Sequence, residues 1–86
     1  MEFRLTAHAR ERAEERGTTE VEIGVVLSGR QQIELKQGRK SKETIFDYNR
    51  EWLGKHYSQK KVQVIYIEEE EETAVITVKV YYGRWR

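Results

Sequence analysis

Three side chains with functional chemistry, His8, Arg12 and Arg16, recur at intervals of four residues near the start of the sequence. In a helix, residues four apart lie about 40° apart around the axis, so these three would form one continuous row. Histidine titrates near neutral pH, and arginine is a permanently charged, planar ligand for phosphate. The row therefore combines acid–base chemistry with anion binding.

A ribonuclease that works without a metal ion uses both kinds of group. It must remove the proton of the ribose 2′-hydroxyl, stabilise negative charge on the phosphate and protonate the leaving oxygen. In the first turn of a helix the peptide dipole disfavours a positive charge, so we expect a neutral His8 that accepts the proton. Arg12 and Arg16 would hold the phosphate. The other interpretation is structural: the arginines lay their stems on the core and pair with an acid such as Glu34 or Asp47.

The second histidine, His56, lies between Lys55 and Tyr57 in a segment without a clear structural pattern. It could complete a catalytic pair if the fold brings it near His8, and is otherwise an exposed loop residue. Two histidines so far apart, without clustered carboxylates, do not form a metal-binding signature. We therefore expect no metal ion and no other cofactor.

The C-terminal run Tyr81-Tyr82-Gly83-Arg84-Trp85-Arg86 interleaves aromatic rings and guanidinium groups. Rings stack on unpaired bases and cations contact phosphates, so this run could bind RNA, with Tyr82 assisting catalysis. Alternatively, Tyr82 ends the core face of a strand and Trp85 folds over a sheet edge. The candidate nucleic-acid-binding cations of the whole chain are Arg39, Lys40, Lys42, Lys55, Arg84 and Arg86.

The composition describes one small domain, residues 1–86, with a limited core. The chain is 37% hydrophobic and 36% charged, and its formal net charge of +1 argues mildly against broad affinity for nucleic acids. The absence of cysteine excludes disulfides and thiolate chemistry. Because there is no signal-peptide pattern and no apolar segment long enough for a membrane span, we expect a cytoplasmic protein.

Local signals predict two helices near the N-terminus. The first begins at Thr6 as N-cap and stops at Gly17. The second begins at Thr19, which forms a capping box with Glu22, and ends at Gly29. Each prediction depends on residues whose side chains or backbone freedom suit a helix end.

Alternating apolar residues then predict four strands, at residues 32–36, 44–48, 61–68 and 74–82. In the last strand, alternation places on one face Ala74, Ile76, Val78, Val80 and Tyr82. Residues 37–42 resemble a basic turn or loop, and residues 49–60 give no clear pattern apart from a bend at Gly54. The acidic run 68–72 predicts an exposed hairpin loop that would repel RNA. The predicted fold is α+β: two N-terminal helices followed by a mostly antiparallel four-stranded sheet.

The pattern His8-Ala9-x-x-Arg12-x-x-Glu15-Arg16-Gly17, a capped second helix and the strand segment Val75-Ile76-Thr77-Val78 together resemble the domain-of-unknown-function 4258 family. Lys55-His56-Tyr57 is similar to a basic–aromatic segment common in that family. Its members look like small α+β proteins, often related in fold to RelE-type ribonuclease toxins. The resemblance implies an RNA-binding domain and a metal-independent endoribonuclease activity, with an antitoxin protein as partner. Where a tyrosine often follows Thr-Val in the family, this chain has Lys79, so it would use Tyr81 or Tyr82, or lack the activity.

Two other classes of function are consistent with the sequence. One is a non-catalytic protein-interaction module, which binds a partner protein or forms a homodimer through Val21, Val25 or the edge of the last strand. The other is a nucleic-acid-binding protein without catalytic activity. Growth arrest on expression without an antitoxin would distinguish an active ribonuclease from an inert module.

Overall fold

The computed structural model describes residues 2–85, and Arg86, one of the predicted RNA-binding residues, lies outside them. Within this range two helices and five strands form an α+β fold, so the predicted fold class is confirmed. The elements, in chain order, are β1 Phe3–Leu5, α1 Ala7–Arg16, α2 Glu20–Leu27, β2 Ile33–Glu34, β3 Lys40–Trp52, β4 Lys55–Glu68 and β5 Thr73–Gly83. A short 3-10 turn, Lys36–Gly38, connects β2 to β3.

The sheet is mixed, with strand order β1-β5-β4-β3-β2. Strands β2 to β5 pair antiparallel, as predicted, but β1 precedes the helices and pairs parallel with β5, with Phe3 opposite Thr73. The prediction of a four-stranded sheet is therefore wrong. Three residues are too few to show an alternating pattern, and β1 is held by distant partners. The Thr6 N–H donates to the Val75 carbonyl at 3.1 Å, and the Thr73 N–H donates to the Glu2 carbonyl at 3.2 Å.

The predicted starts of both helices are confirmed. The hydroxyls of Thr6 and Thr19 each accept a hydrogen bond from the backbone N–H three residues later. Gly17 ends α1 in the left-handed conformation, with φ of 84°. Helix α2 ends at Leu27, two residues earlier than the predicted end at Gly29.

The core lies between the helices and one face of the sheet. It consists of Ala9, Ala13, Ile23, Val26, Leu27, Val62, Val64, Tyr66, Val75 and Val78. The regular alternation predicted for β5 is wrong at Ile76, where the strand contains a β-bulge. Ile76 has no partner on β4, whereas Val75 and Thr77 do. The extra residue reverses the alternation locally. As a result, Val75 is fully buried and joins the core in place of Ile76.

Strands β3 and β4 form a hairpin that extends beyond the rest of the sheet. Strand β5 ends at Gly83, opposite Gln59, whereas β4 reaches back to Lys55. Lys55 pairs with Trp52 of β3, and a two-residue turn joins them. We call the protruding part, residues 50–57, the ribbon. For these residues only the bend at Gly54 was predicted, and it is confirmed.

Replacing Gly17 by Ala should destabilise the fold by about 2–4 kcal/mol. A Cβ at Gly17 would clash with the Tyr82 hydroxyl and lie 2.8 Å from the Trp52 ring. Gly54 has the same φ of 84° but open space around its Cβ position. Gly54→Ala should therefore lower the free energy of unfolding by only about 1 kcal/mol, the cost of placing alanine in a left-handed backbone conformation. Urea denaturation of both variants measures the difference, and equal losses would show that the ring contact at Gly17 contributes nothing.

Candidate nucleic-acid interface

The predicted row on α1 exists, but its members have separate environments. His8 is exposed in the first turn of the helix. Arg12 Nη1 donates to Glu15 Oε2 at 2.9 Å, an acid of the same helix. Arg16 Nη1 donates to the carbonyl oxygen of Val78 in β5 at 2.7 Å. The two guanidinium groups are thus bound by a helical carboxylate and a backbone carbonyl, and not by an acid of the sheet.

The fold places the two histidines toward opposite ends of the molecule. Thr6, close to His8, donates from its hydroxyl to the Ile76 carbonyl at 3.2 Å, near the start of β5. His56 lies on β4 beyond the level of Gly83, the last residue of β5. The strand between Ile76 and Gly83 alone is about 23 Å long, at roughly 3.3 Å per residue. The structure therefore does not bring the two histidines together as an acid–base pair.

Half of the predicted basic loop, residues 40–42, is strand, and the other half contains the end of the 3-10 turn. Lys40 and Lys42 lie in β3, and Arg39 directly precedes it and is exposed. Lys40 Nζ lies 2.9 Å from Glu68 Oε1, and Lys42 Nζ donates to the Leu27 carbonyl at 2.8 Å, where α2 ends. Both ammonium groups thus have partners within the fold, and residues 40–42 are ordered as a strand by pairing with residues 64–66 of β4.

A shallow groove of about 460 Å³ lies where β4 continues past the end of β5. It is lined by Lys55, His56, Tyr57, Ser58, Tyr82, Gly83 and Arg84, and we call it the basic groove. Four of these residues, Lys55, His56, Tyr82 and Arg84, were predicted from the sequence to act on or bind RNA. The antiparallel register of β4 and β5 brings them together from two distant segments.

Four aromatic rings form a cluster at the groove. Trp52 stacks on Tyr82 with ring centroids 4.9 Å apart and planes 15° apart. Tyr48 and Tyr57 contact the same ring at centroid distances of 5.3 and 5.5 Å. Lys55 Nζ lies 5.5 Å from the centroid of the Tyr57 ring. Rings and cations interleaved in this way are typical of surfaces that bind single-stranded nucleic acids.

A β-bulge in β3 helps to assemble the cluster. Tyr48 and Asn49 together oppose the single residue Ser58 on β4. Asn49 has φ of 49°, in the left-handed region that asparagine tolerates better than most residues. Beyond the bulge, Arg50 and Trp52 lie on one face of the ribbon, and the Arg50 guanidinium carbon is 4.8 Å from the Tyr48 ring centroid. Tyr48, Arg50 and Trp52 were not predicted as site residues, although the density of aromatic residues around the bend was a signal.

Tyr82 is tied to α1 rather than free in the groove. Its hydroxyl donates to the Arg16 carbonyl at 2.7 Å. Burial, and to a lesser degree the neighbouring Tyr48 and Glu22, raise the pKa of Tyr82 to about 12. At neutral pH the hydroxyl is therefore protonated and its proton is held by a carbonyl. These contacts favour the packing role over the catalytic one.

Behind the cluster, a buried lysine joins the turn between the helices to the sheet. Lys60 is 3% exposed, and its Nζ lies 2.8 Å from both the Gly17 carbonyl oxygen and Glu22 Oε1. The Thr18 hydroxyl donates to the same carboxylate oxygen at 2.9 Å. Lys60 Nζ also lies 5.3 Å from the Tyr48 ring centroid. In the sequence, Lys60 falls at the same alternating positions as the buried residues of β4 and so could have been predicted to point into the core. This signal was missed.

The end of the described chain folds back on the sheet. The Trp85 N–H donates to Gln59 Oε1 at 2.7 Å, and Lys61 Nζ lies 5.2 Å from the centroid of the Trp85 ring. These contacts agree with the packing alternative for Trp85. Arg84, just before it, is exposed at the groove.

Comparisons with family models, with curated proteins and with solved structures found no match to this chain. The resemblance to the domain-of-unknown-function 4258 family therefore stays a prediction. Within residues 2–85, no group of three or more His, Cys, Asp or Glu side chains is placed to hold a metal ion. No described helix is long and apolar enough to cross a membrane.

The free energy of unfolding should fall as the pH rises from 10 to 12, because Tyr82 has a pKa near 10 when unfolded and about 12 when folded. This stabilising contribution is fully present below pH 10. Tyr82→Phe should lower the free energy of unfolding by about 1–2 kcal/mol at neutral pH, since the Arg16 carbonyl loses its hydrogen bond. The further decrease in this free energy between pH 10 and 12 should be smaller in the variant than in the wild type. Tyr81→Phe, at an exposed position, is the matched control. Urea denaturation at each pH measures the free energy of unfolding. If this free energy fell as steeply between pH 10 and 12 in Tyr82→Phe as in the wild type, the predicted role of Tyr82 would be contradicted.

Proposed function

We propose that this protein binds single-stranded RNA in the basic groove. One observation carries the proposal: the cationic residues Lys55 and Arg84 line the same open groove as His56 and the aromatic residues Tyr57 and Tyr82. Cations contact phosphates, and aromatic rings stack on unpaired bases. The shallow, open shape leaves room for a chain that enters at one side and leaves at the other.

The distribution of charge supports binding at this end of the molecule. The acidic run 68–72 lies at the turn between β4 and β5, where two of its glutamates pair with Arg4. Strand β4 leads from Lys55 at the groove to Glu68 at this turn, and the longest dimension of the protein is 41 Å. A polyanion is thus attracted at one end and repelled at the other, despite the net charge of +1.

We propose further that the groove cleaves bound RNA without a metal ion. His56 accepts the proton of the ribose 2′-hydroxyl, and the 2′-oxygen bonds to phosphorus. The 5′-oxygen then leaves with a proton from water, while Lys55 and Arg84 stabilise the negative charge on the phosphate. His8 has no part in this proposal, because it lies toward the acidic end. Such an activity is that of the RelE-like toxin expected from the sequence, whose partner would be an antitoxin protein.

His56→Ala should slow the cleavage of a labelled single-stranded RNA in EDTA by about a hundredfold or more, because it removes the proton acceptor. It should leave the affinity for RNA nearly unchanged. His8→Ala is the control and should cleave like the wild type. Undiminished cleavage by His56→Ala would place the chemistry elsewhere.

Replacing Lys55 and Arg84 together by glutamate tests binding apart from cleavage. The double variant should bind RNA about tenfold more weakly or worse at low salt, because two phosphate contacts become repulsive. Lys36→Glu with Arg39→Glu, in the segment before β3, makes the same change in net charge away from the groove. Fluorescence anisotropy measures both, and equal affinities would refute the groove as the binding site.

The alternative function, a protein-interaction module, is favoured by a different surface. Val21 and Val25 are 78% and 47% exposed and lie one turn apart on α2. Among the described strands, β1 covers β5 only from Thr73 to Val75, so the outer edge of β5 beyond Val75 carries no further strand.

If the homodimer exists through α2, Val25→Asp should convert it to a monomer, because a buried carboxylate would lack a partner. Sedimentation equilibrium of the wild type and the variant measures the change. Glu20→Asp, at the start of the same helix, is the control. A wild-type chain that remains monomeric at high concentration would exclude the dimer.

A further inference from the structure

Leu53, at the tip of the ribbon, combines two unfavourable properties. It is 89% exposed, more than the other large apolar residues that are exposed in the structure. Its φ is 51°, a left-handed conformation that disfavours side chains with a Cβ. Two-residue hairpin turns usually place Asn, Asp or Gly at such positions. An apolar side chain is therefore held in water where neither its backbone nor its solvation favours it.

The turn that carries Leu53 is firmly anchored. Trp52, the preceding residue, stacks on Tyr82 at 4.9 Å and pairs with Lys55 across the hairpin. Tyr82 is in turn hydrogen-bonded to the Arg16 carbonyl of α1. The exposed leucine thus projects from a supported hairpin and not from a loose loop.

Two cationic residues of the ribbon lie close to Leu53 in the sequence. Arg50 and Lys55 lie on the same face of the ribbon as Trp52, because paired residues and residues two apart share a face. Lys55 also lines the basic groove. The tip is therefore continuous with the surface proposed to hold phosphates.

We infer that Leu53 is a wedge that enters between two stacked bases of the bound RNA, while Arg50 and Lys55 contact the flanking phosphates. This inference rests on the proposed RNA binding and adds a feature of the substrate: a stacked step next to the segment held in the groove. Apolar side chains inserted between base steps are a general means of unstacking nucleic acids. A lipid surface fits the tip less well, because one exposed leucine offers little apolar area and Glu51 adjoins it.

An oligoadenylate RNA with one internal 2-aminopurine tests the wedge, because this base fluoresces more strongly when it is unstacked. The wild type should raise the fluorescence on binding. Leu53→Asn should bind about tenfold more weakly and, at saturation, leave the fluorescence near that of free RNA. Leu53→Met keeps an apolar side chain and should behave like the wild type, as should Val21→Asn, which removes an exposed apolar residue elsewhere. Leu53→Asn should melt at the wild-type temperature or above, since asparagine suits the turn.

Each result separates the wedge from RNA binding itself. Equal fluorescence increases with the wild type and with Leu53→Asn would refute the wedge and leave RNA binding intact. A wild type that does not bind the RNA would overturn the proposed function and the wedge together. Binding to vesicles of phosphatidylcholine and phosphatidylserine that Leu53→Asn abolishes, with equal RNA fluorescence, would assign the tip to a lipid surface instead.

Discussion

The arrangement of the basic groove depends on one buried contact, the Lys60 ammonium between the Gly17 carbonyl and the Glu22 carboxylate. A buried charge is tolerated there because both partners are present, and removal of either would leave the other polar groups unsatisfied. The contact fixes the turn between the helices to β4. The same turn accepts the hydrogen bond of Tyr82 at the Arg16 carbonyl, so the helices hold the ring against which the ribbon packs.

The parts of the fold that were predicted correctly have local causes. A hydroxyl at Thr6 or Thr19 and a left-handed Gly17 determine helix ends within a few residues, so the sequence suffices to find them. Strand β1 and the bulge at Ile76 have distant causes, since both are fixed by pairing across the sheet. The ribbon, residues 50–57, was missed because its aromatic side chains pack on Tyr82 instead of on the apolar core.

The candidate site was predicted residue by residue but not as an assembly. Lys55, His56 and Arg84 were each selected for their chemistry, yet only the register of β4 with β5 makes them neighbours. Local periodicity carries no information about that register. The same limit explains the row on α1, where Arg16 is bound by a carbonyl of β5 that no spacing within the helix could indicate. Hence the residue types of the candidate site were evident in the sequence, and their common location in the fold was not.

The separation of charge along the 41 Å axis would orient this protein toward any polyanion that it approaches, including the RNA proposed as its ligand. A molecule with a net charge of +1 feels little overall pull toward a polyanion, but opposite charges at its two ends produce a torque. The molecule would turn its ribbon toward the phosphates before contact. Most of its remaining surface would bind the polyanion only weakly. A nearly neutral protein can in this way select the end that touches RNA without binding RNA over its whole surface.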